Sequence, residues 1–249
     1  MTSQTTSSPI RTATVEILSN DLPISAYLAE PAGDGPFTGV IVIQEVFGVN
    51  SHIRQVTERL AQAGYVAIAP HIYHRQAPGF EVGYSQEDLE LGRKYKVGTK
   101  TDELLSDVQG AIHFLKSRAN VRANGFGCMG FCFGGHVAYL AATLPDIQAT
   151  ASFYGAGITS LTPGGGEPTI NRTSEITGTL HGFFGTADPL IPLEEVDQIE
   201  AALTAAGVPH QIFRYEGAGH GFFCNQRDSY KPDAAEDAWA KVMKLFGNL

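Results

Sequence analysis

The chain has 249 residues, a formal net charge of −9 and three cysteines. That length suits one large α/β domain with an ample core, while the acidic balance and the lack of a basic stripe argue against nucleic acid as a partner. No run approaches the roughly 18–20 apolar residues that span a bilayer, so no membrane partner is expected.

An odd set of thiols, Cys128, Cys132 and Cys224, offers no disulfide framework. It fits a reducing, cytoplasmic setting with at least one free thiol. Residues 1–10 are rich in Ser and Thr and lack the apolar stretch of a secretory signal. They are expected to form a disordered tail ahead of a single domain over 11–249.

In chain order, residues 14–18 and 23–30 flank Ser19-Asn20-Asp21 and predict an antiparallel hairpin at a sheet edge. Val40-Ile41-Val42-Ile43 is a continuous β-branched run, as expected of a strand buried on both faces of a parallel sheet. Ser51 is placed to cap a helix in which Ile53, Val56, Leu60 and Ala63 share one face before Gly64. A second buried strand over 65–69 stops at Pro70. Residues 71–100 are polar and irregular, with helical spacing over 86–95, and read as a loop above the sheet.

Leu104, Val108, Ala111, Ile112 and Leu115 restore a helical stripe, and Asn124-Gly125 turns into a short strand ending at Cys132. Further strands over 149–154, 179–184 and 211–215 alternate with helices over 193–206 and 234–246. Gly164-Gly165-Gly166 marks a flexible surface excursion. A hairpin followed by repeated β-α alternation specifies an open, mostly parallel sheet with antiparallel N-terminal strands and helices on both faces. Ligands in such sheets gather at the strands' C-terminal ends.

Gly130-Phe131-Cys132-Phe133-Gly134-Gly135-His136 has the form G-x-C-x-G, the thiol version of the turn that lifts a nucleophile between a strand and a helix. Taken alone, it is equally compatible with a buried cysteine in a glycine-rich turn. The following helix, read over 133–144, would bring unpaired N–H groups and a partial positive charge to Cys132, favouring thiolate. A nucleophile wants a base and the base an orienting acid. Asp188, in Gly185-Thr186-Ala187-Asp188-Pro189, and His220, in Gly217-Ala218-Gly219-His220-Gly221, each follow their own strand. The order Cys132, Asp188, His220 is that of the α/β-hydrolase fold. The backbone N–H groups of Phe133 and Val46 are the expected oxyanion donors. Glu45, a carboxylate emerging from an apolar strand, invites a functional reading.

With these residues the chain resembles the dienelactone hydrolases from about residue 36 to 249. Gln44-Glu45-Val46-Phe47-Gly48, Tyr73-His74-Arg75-Gln76-Ala77-Pro78-Gly79, the Cys132 turn and Gly219-His220-Gly221-Phe222 follow in family order. The resemblance implies hydrolysis of a small, carboxylate-bearing enol lactone, dienelactone to maleylacetate, through an acyl-thioester on Cys132 and with no cofactor or metal.

It also implies that Glu45 contacts the resting thiol and governs thiolate formation, and that Arg75 fixes the substrate carboxylate. Tyr73 and Phe47 are expected among the pocket walls, and Cys224 either lines the pocket or packs. Family members that act on dienelactone carry a second arginine four residues after the histidine; here that position is Cys224, with Arg227 three further on. Arg227 is therefore the candidate replacement, and the expected substrate widens to other small esters or lactones. A general carboxylesterase or thioesterase, and a non-catalytic ligand-binding protein on the same fold, are the alternatives. His71 and His74, three apart on a loop, are a weak metal signal.

Overall fold

The computed structural model describes residues 9–249. Most of the expected N-terminal tail, residues 1–8, lies outside the described residues, and Ile10 already opens the first strand. Eight strands form one sheet: β1 (Ile10–Ser19), β2 (Leu22–Pro31), β3 (Thr38–Ile43), β4 (Tyr65–Pro70), β5 (Phe126–Phe131), β6 (Ile147–Phe153), β7 (Thr179–Gly185) and β8 (His210–Tyr215). Their spatial order is β1-β2-β4-β3-β5-β6-β7-β8, antiparallel from β1 to β4 and parallel from there to β8. This is the α/β-hydrolase arrangement.

The hairpin is longer than its apolar pattern suggests. β1 pairs with β2 from Ile10↔Pro31 to Ser19↔Leu22, although most of β1 is exposed. Asn20 and Asp21 both take positive φ, 46° and 63°, as a two-residue hairpin turn requires. Backbone pairing at an open edge carries no hydrophobic signature, which is why residues 10–13 of β1 gave no signal.

Among the described residues are six α-helices, of which all but α2 pack on the sheet: α1 (Ser51–Gln62), α2 (Gln86–Val97), α3 (Thr101–Lys116), α4 (Phe133–Ala141), α5 (Leu193–Ala205) and α6 (Pro232–Phe246). β3 shows why both faces must be covered. Val40 and Val42 join a core with Ile53, Val56 and Leu60 of α1 and Val242 and Phe246 of α6. Ile41 and Ile43 point the other way, to Leu104, Val108 and Ile112 of α3 and Val137 and Ala138 of α4. All four are wholly buried, each contributing about 1.5–3 kcal/mol of burial.

Asn50, rather than Ser51, caps α1, accepting the Ile53 N–H at 3.3 Å. A 3-10 helix over Thr169–Glu175 had no sequence prediction; its Thr169 and Thr173 hydroxyls bond His136 and Tyr139 of α4 at 2.7 and 2.6 Å. Those bonds hold the segment that follows the exposed Gly164-Gly165-Gly166 excursion.

Candidate active site

The turn from β5 to α4 holds Cys132 at φ 56°, ψ −119°, a left-handed conformation that costs a non-glycine residue of order 1–3 kcal/mol. The surroundings enforce it. A Cβ on Gly130 would run into the Gly134 carbonyl, and one on Gly134 into the carbonyls of Ile43 and Gln44, so β3, β5 and α4 converge on this point without side chains between them. The Cys132 N–H donates to the Phe153 carbonyl at 3.0 Å. Its half-buried side chain lines a cavity of about 470 Å³ shared with Val46, Phe47, Phe133, His220 and Arg227. Among the described residues the amides of Val46 and Phe133 have no backbone acceptor.

Asp188 follows β7 and His220 follows β8. The His220 Nδ1–H donates to Asp188 Oδ2 at 2.8 Å, while Asp188 Oδ1 accepts the Leu190 N–H at 2.8 Å. One carboxylate thus stabilises its own turn and orients the imidazole. His220 Nε2 has no partner in ordinary hydrogen-bond geometry, yet Cys132 is the strongest influence raising its pKa. Burial disfavours the imidazolium, but a Cys132 thiolate and the Asp188 carboxylate together push it from 6.5 up to about 10.

Because the folded value lies above the unfolded one, the stabilisation from this imidazolium is fully present below pH 6.5 and is lost as pH rises through about 10. For an alkyl ester, whose leaving alkoxide needs a proton, kcat/KM is expected to hold through neutral pH and fall near pH 10. A decline centred near pH 6.5 would show that the pair does not form.

Behind the cavity, Glu45 is completely buried. Its Oε1 accepts from Arg227 Nη1 at 3.1 Å and its Oε2 has no partner. The expected contact with the resting thiol is therefore not the one made: Glu45 bonds to Arg227, because the guanidinium is the nearest charge able to offset a buried carboxylate. Arg227 lies 5.7 Å above the rings of both Phe47 and Tyr84.

Cys224 does not line the cavity; it is buried and donates to the Tyr84 hydroxyl at 3.3 Å, and burial followed by Glu45 pushes its thiol up to about 11. With His52 these groups form one cluster, the potential ligand atoms of Glu45, His52 and Cys224 lying within 4.8 Å of one another. Burial holds His52 below its ordinary pKa, so this imidazole is neutral, and Arg227 supplies the cationic charge there.

Arg75 departs from expectation. Its Nη1 donates to both carboxylate oxygens of Asp107 on α3, at 2.7 and 2.9 Å, and its Nη2 to the Ser19 hydroxyl at 2.7 Å. It is not among the cavity-lining residues. Asp107 is wholly buried on the apolar face of α3, so the guanidinium is consumed in neutralising it. Tyr73 also lies outside the cavity, buried against Phe133 with ring centroids 6.3 Å apart, whereas Phe47 lines it.

Among the lining residues missed are Leu161, Leu190 and Glu195, and on α2 Leu89, Arg93 and Lys96. Gly92 lets this helix lie against the Val46 carbonyl, which a Cβ would strike. That single buried glycine in a charged helix was the available signal.

A family model described as the dienelactone hydrolase family matches residues 24–249. A Synechocystis protein that carries the name carboxymethylenebutenolidase is 56% identical over 237 residues, 95% of this chain and 96% of its own. A Bradyrhizobium protein named for 2-oxo-3-(5-oxofuran-2-ylidene)propanoate lactonase activity is 31% identical, over 92% of this chain and 91% of its own. The crystal structure of a Klebsiella pneumoniae protein described as a dienelactone hydrolase superposes with a TM-score of 0.87 at 30% identity, covering 97% of this chain and 100% of that one. No helix among the described residues is long and apolar enough to cross a membrane. The strained thiol turn, the eight-stranded sheet and these likenesses agree: the chain belongs to the dienelactone hydrolase family and is a carboxylic ester hydrolase of that family.

Proposed function

We propose that the protein hydrolyses a small anionic enol lactone or ester through an acyl-thioester on Cys132. The observation that carries this reading is His220, bonded to Asp188 at 2.8 Å and charge-coupled to a thiol held on a strained turn in an open cavity. The Cys132 thiolate attacks the carbonyl carbon, and the amides of Phe133 and Val46 receive the developing oxyanion. His220 gives its proton to the departing oxygen. An enol leaving group demands little of that proton, which suits a thiol nucleophile. Neutral His220 then draws a proton from water, which cleaves the thioester and restores the pair. Asp188 fixes the imidazole orientation throughout.

A substrate carboxylate in the cavity meets Arg227, which holds Glu45 through one bond. In this reading the Cys132 proton already rests on His220, so exchange of that bond makes Arg227 the anchor for the substrate and leaves the pair as the source of the nucleophile. Arg227 takes the anchoring role that Arg75 cannot fill. The substrate in the Bradyrhizobium relative's name, an enol lactone with a carboxylate, fits the same chemistry.

Steady-state rates on cis- and trans-dienelactone beside neutral esters and thioesters test the reading. The lactones are expected to show kcat/KM at least about tenfold above the neutral esters. Faster neutral esters would make the enzyme a general carboxylesterase, and faster thioesters a thioesterase.

A further inference from the structure

A second, larger space of about 710 Å³ adjoins the catalytic cavity. Arg93, Lys96, Phe133 and Leu161 line both. The outer walls are Val97 to Lys100 at the end of α2 and Leu161 to Gly165 of the excursion after β6. Each chamber alone is large enough for a small ligand, so a compact lactone leaves the outer one empty.

Two properties of this space point to a ligand. Val97 and Leu161 are 83% and 41% exposed, an apolar surface laid open to water beside the reaction centre. Arg93 and Lys96, three apart and so on one face of α2, have no carboxylate within 4.0 Å among the described residues, while the other arginines lining or flanking the site, Arg227 and Arg75, are paired. In a chain of net charge −9, two cations without a carboxylate partner, Lys96 held only over the Phe133 ring at 5.4 Å, focus the field on an anion in this space.

Resting on the hydrolase reading above, we infer that the outer chamber is a second substrate subsite, which receives the non-reacting arm of an elongated ester. The arm has an apolar stem, lying along Phe133, Leu161 and Val97, and ends in a carboxylate met by Arg93 and Lys96. The preferred substrates are then half-esters of medium-chain dicarboxylic acids, or esters of ω-hydroxy acids, longer than a dienelactone.

Two series separate the possibilities. In one, p-nitrophenyl esters carry acyl arms of two to ten carbons ending in carboxylate or in a methyl-ester cap; in the other, acetate esters of ω-hydroxy acids, free or capped, place the arm on the alcohol side. In at least one series kcat/KM should rise with arm length and exceed the capped analogue by about tenfold, the worth of two partly exposed ion pairs. The Arg93→Ala/Lys96→Ala double variant should bring that ratio to near one, and Val97→Glu, at an exposed position tolerant of substitution, should lower it.

Equal rates for charged and capped arms in both series would overturn the subsite while leaving hydrolysis of short esters, and so the catalytic reading, intact. No turnover of any ester would overturn both.

Discussion

An Arg75→Ala variant is expected to lose about 3–5 kcal/mol of stability, read as a Tm lower by roughly 6–20 °C, with the KM for anionic esters unchanged within about twofold. Asp107 is fully buried and Arg75 only 19% exposed in its side chain, so removing the cation strands a carboxylate among Leu104, Val108 and Ala111. Burial already raises the Asp107 pKa, opposed by Ser19 and Arg75; without Arg75 the group must take up a proton or draw in water.

The pair also ties the β1–β2 hairpin to α3 through Ser19, whose hydroxyl donates to Ser106 at 2.8 Å. Loss of the guanidinium should loosen that edge first. An unchanged Tm together with a raised KM for anionic substrates alone would restore Arg75 to the cavity and remove Asp107 as its partner.

Arg75 also shows what the sequence could and could not disclose. The motif around it points to substrate, and nothing local reveals an acid 32 positions away. The overlooked sign was Asp107 itself, which falls in register with the apolar stripe of α3 and so needs a buried cation. β3 was legible because burial on both faces leaves a continuous β-branched run, Val40-Ile41-Val42-Ile43, whereas β5, Phe126–Phe131, has none and was found from the turn at Asn124-Gly125. The 3-10 helix was not, because its reason for forming is two threonines that bond His136 and Tyr139 across the fold. The cations of α2 look in sequence like any solvated face; the placement of Gly92 against Val46 sets Arg93 and Lys96 on the wall of the cavity that Cys132 lines. Cys132, Asp188 and His220 could be picked out because strand ends bring them together in a fixed chain order, and the structure places Asp188 and His220 in contact beside Cys132.

The second large effect concerns that thiol. Three cysteines are present, but the other two are poor nucleophiles: burial pushes Cys128 up to about 12, and burial with Glu45 takes Cys224 to about 11. Neither lines the catalytic cavity. Cys132 alone combines partial exposure, the N-terminus of α4 and an imidazolium partner. Substituting it leaves the donors for the oxyanion and the binding surface in place, so a residual rate above that in water is expected. The Cβ of alanine fits the same backbone, and folding should be unaffected.

The decisive measurement is kcat/KM of Cys132→Ala on an activated aryl ester, beside wild type at the same pH. A loss of at least about 10⁴-fold is expected for removal of a covalent nucleophile. A variant within tenfold of wild type would contradict covalent catalysis at Cys132 and the function built on it.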